Sequence, residues 1–172
     1  MECLFIVECS APAELQIGRF LPHTPIRILI DQTQKDLTDE IAHGDLIETG
    51  QTFDKQQIVA FLNKQRLPIT KLLTAAEQIA DTRKQQLIDE ATKVMMESSS
   101  AEIKRLMRLQ KVNPSIRSEE IEQLKDMTLL AHENIQVAQL RLDAVRFVIT
   151  SWVHTEYKLS LYSAIFIAES LC

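Results

Sequence analysis

Apolar residues recur at steps of three and four along most of the second half of the chain, and this spacing constrains the fold more than any other feature. One face of an α-helix repeats every ~3.6 residues, so each such series predicts a helix with one apolar side. The first series begins after Pro68 and stops at Asn113-Pro114, which predicts a helix over 68–111. Its members are Ile69, Leu72, Leu73, Ala76, Ile79, Ala80, Leu87, Ala91, Val94, Ile103, Leu106 and Leu109.

The second series is more regular and predicts a helix over 118–149. It starts at Ser118, whose hydroxyl can cap a helix N-terminus, and two glutamates follow in the first turn, where negative charge is favourable. Because only residues 111–117 link the two helices, we expect them to fold back on each other as an antiparallel hairpin. Four side chains are expected to be buried in its seam: Leu124, Ile135, Leu142 and Val145.

The first fifty residues have a different pattern, typical of strands and turns. Leu4–Val7 is a short apolar run, and residues 26–31 form a second run rich in β-branched side chains. Prolines at positions 12, 22 and 25 exclude a long helix between these runs. Residues 36–48 favour a loop and a single turn of helix.

Glycine and proline are scarce, with three and five occurrences in 172 residues. Sandwiches, barrels and doubly wound sheets need more turn residues than this. The sequence therefore predicts an α+β fold that is mainly α, in which a small N-terminal β element is followed by a long antiparallel helical hairpin.

Charge and cysteine usage limit the classes of function. The net charge is −5, with nine acidic and three basic residues in 1–50 and fifteen acidic and sixteen basic residues in 51–172. Strong independent binding to nucleic acid needs a concentrated basic surface, which this balance does not provide. The apolar runs are shorter than the ~18 residues of a membrane helix, and the N-terminus lacks the basic start of a secretory signal. With three cysteines and no disulfide framework, we expect a cytoplasmic protein that contacts no membrane.

A known family is recognisable in the N-terminal segment. Residues 11–31 read APAELQIGRFLPHTPIRILID, and three shorter matches follow in the same order: Asp36-Leu37, Asn113–Arg117 (NPSIR) and Arg141–Arg146 (RLDAVR). Together they resemble the C-terminal region of the RapA (HepA) family of bacterial RNA polymerase-associated Swi/Snf-type ATPases. The resemblance covers about residues 1–151.

The resemblance implies a non-catalytic C-terminal module of an ATP-dependent RNA polymerase recycling factor that acts in transcription regulation. The helicase-like motor, with its ATP and Mg²⁺, would lie upstream, because this chain has neither a G-x-x-x-x-G-K-[ST] phosphate loop nor a helicase-type acidic box. We therefore expect no catalytic, cofactor-binding or metal-binding residue in this segment. RNA polymerase is the expected partner, and DNA would be contacted only through the full-length protein.

The family pattern ends near Thr150, whereas the chain continues to Cys172. We therefore expect three segments: a strand-containing segment over 1–50, a helical hairpin module over 51–150 and an unmatched C-terminal extension over 151–172.

One basic cluster is a candidate partner contact, since no acidic residue lies between Glu102 and Glu119. Its members are Lys104, Arg105, Arg108, Lys111 and Arg117. The cluster could contact nucleic-acid phosphates or an acidic polymerase surface. The same cations could instead only complement the helix dipole and keep an exposed tip in water.

Other titratable residues have simpler interpretations. The acidic stretch 36–45, with His43, lacks the alternating ligands and the glycine of a calcium loop and favours a solvated loop. Cys3 and Cys9 have no histidine nearby in sequence, which favours packing in a core. His132 falls beside the hairpin seam and is expected to be a half-buried helix residue.

A second class of function fits the same residues: a free-standing helical protein-interaction module, whose hairpin pairs with another coiled coil. An adjacent upstream reading frame with the ATPase motifs would favour the recycling-factor hypothesis. An enzyme would need a pocket with convergent titratable groups.

Overall fold

A computed structural model of the chain describes residues 1–48, 50–51, 56, 59–60, 63, 66–113, 115–151 and 160–167. The helices and strands are β1 (Glu2–Glu8), β2 (Thr24–Leu29), α1 (His43–Glu48), β3 (Gly50–Gln51), α2 (Arg66–Gln110), α3 (Ser118–Gln136), β4 (Gln139–Ser151) and β5 (Ser160–Ile167). Two 3-10 turns, Ala13–Leu15 and Ile17–Arg19, lie between β1 and β2. The chain divides into two compact units, one with residues 1–6, 25–82 and 141–172 and the other with residues 7–24 and 83–140. The α+β, mainly α class is confirmed.

The first unit is built on a sheet whose described strands follow the order β2-β1-β4-β5-β3. β4 and β5 are antiparallel, with Ala144 opposite Ile167 and Ser151 opposite Ser160. β3 pairs in parallel with β5 and places Gly50 opposite Leu161. β1 and β2 confirm the strands expected from the two N-terminal apolar runs.

Alternation along β1 puts one face of the strand into the core of this unit. Cys3 and Phe5 are buried, whereas Leu4 and Ile6 between and beyond them are half-buried. Ile28 of β2 and the following Ile30 are also buried, as are two alanines, Ala76 and Ala80, in the first part of α2. Burial of a side chain such as Phe5 contributes ~1.5–3 kcal/mol relative to leaving it exposed, so these residues supply the main driving force for the unit.

The second unit contains the helical hairpin. At its tip, Gln110 Nε2 donates a hydrogen bond of 3.2 Å to Ser118 Oγ. Farther along, Gln136 Nε2 donates one of 3.0 Å to Thr92 Oγ1. These two bonds show that α2 and α3 run antiparallel, which confirms the hairpin. Six side chains are buried along it: Ile88, Ala91, Met95, Ile121, Ala131 and Ile135.

The first predicted helix, over 68–111, is confirmed by α2, which accommodates Pro68 in its first turn, where the missing N–H has no helical acceptor. Its apolar face is shifted by one position from the predicted one near the middle of the hairpin. Ile88 and Met95 are buried, whereas Val94 is 49% exposed.

The second predicted helix, over 118–149, is wrong beyond Gln136, because residues 139–151 form β4. Leu142 and Val145 therefore lie on a strand and not in the hairpin seam. Of the other two expected seam residues, Ile135 is fully buried and Leu124 is half-buried.

The reason for this difference lies in the composition of residues 145–150, whose sequence is VRFVIT. Its β-branched and aromatic side chains fit a pleated sheet, and β1 and β5 pair with β4 on its two sides. The spacing of a short apolar run fits both a helix and a strand. The apolar repeat of α3 therefore continues into residues 145–150, although these residues form a strand.

Residues 7–24 belong to the hairpin unit. The first 3-10 turn contacts α3, and Cys9 Sγ donates a hydrogen bond of 3.1 Å to the backbone oxygen of Asn134. Ile17 and Leu21 are buried. None of the helices in the described part of the chain is long and apolar enough to cross a membrane.

Candidate functional site

The five cations of the predicted contact lie where α2 ends and α3 begins, and all of them are exposed. Lys104, Arg105 and Arg108 are on the last turns of α2, Lys111 follows its end, and Arg117 is the N-cap residue of α3. We call residues 102–118 the hairpin tip. Its five cations and one carboxylate, Glu102, give it a net charge of +4. The structure thus brings the five residues together, and their contact with a partner stays a prediction.

Helical spacing places several of these residues on one face. Lys104, Met107 and Arg108 follow the i, i+3, i+4 pattern of side chains that are neighbours on a helix surface. Met107 is 49% exposed, and Val112, just beyond the helix, is 81% exposed. The tip therefore presents apolar side chains among cations, which the sequence analysis did not anticipate.

Two cations of the tip make hydrogen bonds within it. Arg108 Nε donates to the backbone oxygen of Lys104 at 3.3 Å, whereas Arg105 pairs with a carboxylate. The Nη2 and Nε atoms of Arg105 donate hydrogen bonds of 2.6 and 2.8 Å to the two carboxylate oxygens of Glu102. The hydrogen bond to Arg105 lowers the pKa of Glu102, and the carboxylate in turn raises the pKa of Arg105. This pairing fixes the Arg105 side chain along α2 and leaves Lys104, Arg108, Lys111 and Arg117 as the outward cations of the tip.

Hydrogen bonds within the turn hold the tip in one conformation. The backbone N–H groups of Val112 and Asn113 both donate to the carbonyl of Leu109, at 3.0 and 2.8 Å. Asn113 Oδ1 then accepts a hydrogen bond of 3.0 Å from the N–H of Ser115. An asparagine side chain that bonds two residues ahead mimics a backbone turn, so the tip is a preformed surface.

A second cluster of charged residues, in the sheet unit, was missed by the sequence analysis. It consists of the buried Glu2 and Arg146, the half-buried Arg27 and the exposed His43, and we call it the buried charge cluster after the pair at its centre. Arg27 Nε donates to Glu2 Oε1 at 2.5 Å, and Arg146 Nε donates to Glu2 Oε2 at 2.6 Å. His43 Nδ1 lies 2.9 Å from Glu2 Oε1 and 3.1 Å from Arg146 Nη2.

The buried charge cluster has a structural role, in which the Glu2 carboxylate is held by ion pairs. Glu2 and Arg146 are each only 6% exposed. Burial alone would raise the pKa of Glu2, but the hydrogen bonds from Arg27 and His43 and the charge of Arg146 lower it below its usual value. Arg27 also donates through Nη1 to the carbonyls of Thr38 and Ile41. A carboxylate held in this way joins β1, β2, β4 and α1 and is not available as a general base.

The cluster could have been found from the position of Arg146. It stands between Val145 and Phe147 in an otherwise apolar strand sequence, and a charge in such a run requires a buried partner. The identity of that partner has no local signal, since Glu2 is 144 positions away.

Within the acidic stretch 36–45, His43 belongs to the buried charge cluster, whereas the carboxylates of Asp36 and Glu40 accept from residues close to them in sequence. Asp36 accepts hydrogen bonds from the N–H and the hydroxyl of Thr38, and Glu40 pairs with Lys35 at 2.7 Å. Within the described ranges there is no group of three or more His, Cys, Asp or Glu residues that could hold a metal ion.

Cys3, Cys9 and His132 are each at least half-buried, and Cys172 lies outside the described residues. Cys3 is fully buried, and burial raises the pKa of its thiol to about 12, which confirms its expected place in the core. Cys9 is half-buried, and partial burial raises the pKa of its thiol as well. His132 is half-buried on α3, as expected.

A family match and similar known proteins point to the same protein family. Residues 1–150 match a family described as RNA polymerase recycling family C-terminal. The chain is 33% identical over 151 residues to an RNA polymerase-associated protein RapA of Actinobacillus pleuropneumoniae and 32% identical over 151 residues to that of Pasteurella multocida. A Yersinia pestis protein of the same name is 32% identical over 150 residues. These alignments cover 88, 88 and 87% of this chain, which spans 16% of the length of each of these curated relatives.

Proposed function

Because the chain belongs to the RNA polymerase recycling family, whose C-terminal region it matches over residues 1–150, we propose that it is a non-catalytic docking module of an RNA polymerase-associated recycling factor. ATP hydrolysis, with its Mg²⁺, takes place in the remainder of such a factor. The module acts in the cytoplasm and contributes to transcription regulation through contact with polymerase.

The observation that carries this proposal is the hairpin tip. It combines a net charge of +4 with exposed Met107 and Val112, on a turn that is held by hydrogen bonds. Exposed apolar side chains among cations fit a protein surface that carries acidic residues and an apolar depression, because charge complementarity steers association and apolar burial stabilises the complex.

A nucleic-acid partner fits the tip less well. Phosphates are bound by cations through counterion release, and exposed methionine and valine side chains add nothing to that term. The tip has five cations, and the whole chain has a net charge of −5. Non-specific DNA affinity at physiological salt should therefore be no better than the weak end of such binding, ~10⁻⁴ M.

The experiment compares the two partners directly. The full chain is immobilised and exposed to purified bacterial RNA polymerase, and its binding to duplex DNA is measured in parallel by mobility shift. We expect polymerase to be retained, and DNA to be shifted only near the ~10⁻⁴ M range. Tight DNA binding without retention of polymerase would contradict the proposal.

A further inference from the structure

β5 lies outside the residues that match the family, yet it is a full member of the sheet. The match ends at residue 150, and β5 covers Ser160–Ile167. Each of its eight residues has a partner on β4, from Ala144 to Ser151. Two of them also pair with β3.

β5 covers an edge of β4 that would otherwise expose unpaired backbone groups. β4 pairs with β1 on its other side, so β5 alone occupies its outer edge along Ala144–Ser151. An uncovered strand edge exposes a row of N–H and C=O groups that can pair with any extended segment. β4 is 13 residues long, and the covered part includes Val145, Phe147, Val148 and Ile149.

We infer that the outer edge of β4 is a strand-acceptor site, which residues 160–167 fill in cis as an antiparallel strand. The segment reads SLYSAIFI, carries no charge and is rich in the β-branched and aromatic side chains that favour strands. Main-chain hydrogen bonds supply the affinity in this mode of recognition, and the side chains select the register. The kind of partner that fits the site is therefore an uncharged extended segment of about eight residues, whether it belongs to the same chain or is supplied as a peptide.

A pair of proline substitutions tests this arrangement in the full chain. Successive amides of a strand point to opposite edges, so one of the two N–H groups removed in the double variant Ala164→Pro/Ile165→Pro must face β4. The matched control, Leu171→Pro/Cys172→Pro, introduces two prolines beyond the end of β5. We expect hydrogen exchange of the β4 amides to accelerate at least about tenfold in the first variant and to stay unchanged in the control.

Addition of the strand in trans gives the second measurement. A labelled peptide with residues 158–169 should bind the Ala164→Pro/Ile165→Pro variant and not the control, whose acceptor edge is occupied. The same peptide with the two prolines should bind neither. Equal exchange of the β4 amides in both variants, or equal peptide binding by both, would overturn the inference.

A crosslink covers the case in which the double-proline variant loses its helical circular dichroism. Val148 is opposite Ser163 in the β4–β5 register, and Cα atoms that face each other across antiparallel strands are ~4.5–5.5 Å apart, within disulfide range. The variant Val148→Cys/Ser163→Cys should form the mapped disulfide under mild oxidation. The off-register variant Val148→Cys/Ile167→Cys should not form it. Equal crosslinking of the two pairs would contradict the register and, with it, the acceptor site.

Discussion

Arg146 and Glu2, 144 positions apart in the chain, are joined in the sheet by a hydrogen bond of 2.6 Å from Nε to Oε2. The two residues lie on the neighbouring strands β4 and β1, and each is 6% exposed. A slip of β4 by one residue would carry Arg146 away from its carboxylate. Such a slip is unfavourable because a buried charge without a partner is costly. The pair therefore specifies the register of these strands.

Removal of the Glu2 charge should destabilise the protein strongly at neutral pH. The substitution Glu2→Gln leaves Arg27 and Arg146 without their carboxylate, and breaking a buried pair from one side costs ~3–5 kcal/mol. Urea unfolding at pH 7 measures the loss. The matched control is Glu14→Gln, which removes the same charge from an exposed position and should change the free energy of unfolding by less than ~0.5 kcal/mol. Equal effects of the two substitutions would contradict the structural role of Glu2.

The same carboxylate predicts a pH dependence. The pKa of Glu2 is lower in the folded chain than the ordinary value of 4.5, so its contribution to stability is complete above pH 4.5. The contribution is lost as the pH falls through the folded pKa, since the carboxyl must then be protonated in both states. The difference in free energy of unfolding between wild type and Glu2→Gln should therefore shrink below pH 4.5. A difference that stays constant from pH 7 to pH 3 would refute this assignment.

The two described cysteines should differ in their reactivity. Burial raises the pKa of Cys3 from 9.0 to about 12, which lowers its thiolate fraction at pH 8 by roughly a thousandfold. Cys9 is half-buried and should react earlier. Alkylation with iodoacetamide at pH 8, mapped by mass spectrometry, should label Cys9 well before Cys3, and both at similar rates in urea. Fast labelling of Cys3 in the native protein would show that β1 is not packed as described.

The helical hairpin should depend on its buried face. Ile135 is fully buried on α3, and replacing it with alanine should cost ~2–5 kcal/mol. Leu130 lies on the same helix but is 50% exposed, so Leu130→Ala removes a similar side chain at a cost within ~0.5 kcal/mol. Urea denaturation followed by helical circular dichroism compares the two variants. A larger loss of unfolding free energy for Leu130→Ala than for Ile135→Ala would show that α3 does not pack through the face that contains Ile135.

The sequence predicted the elements that local pattern determines. α2 has a long apolar repeat and few competing signals, and β1 and β2 coincide with two short apolar runs that prolines separate, so their positions were confirmed. Residues 139–149 satisfied the heptad spacing by coincidence, and only pairing with β1 and β5 makes them a strand. Tertiary pairing of this kind has no period that a sequence window can detect.

The functional residues also divide into those that local sequence predicts and those that only the tertiary structure reveals. The basic residues of the hairpin tip are close in sequence, so their clustering at one exposed turn was predictable once the hairpin was recognised. Exposed Met107 interrupts that cluster and could not be distinguished from core residues by spacing. The buried charge cluster draws Glu2, Arg27 and Arg146 from strands that are adjacent in the sheet but far apart in sequence. The charge of Arg146 in an apolar run signals a buried partner, and only the sheet order shows that this partner is Glu2.

The most direct test of the docking proposal is the rate at which the chain associates with purified bacterial RNA polymerase. The variant Lys104→Glu/Arg108→Glu reverses two outward charges of the tip. Its matched control, Lys71→Glu/Lys93→Glu, reverses two exposed lysines elsewhere on α2 and changes the net charge equally. At ~0.1 M salt, where charges more than ~10 Å apart are largely screened, we expect at least about tenfold slower association for the tip variant and at most about twofold slower association for the control. Equal association rates for the two variants, or no measurable binding of polymerase by the unmodified chain, would contradict the docking proposal.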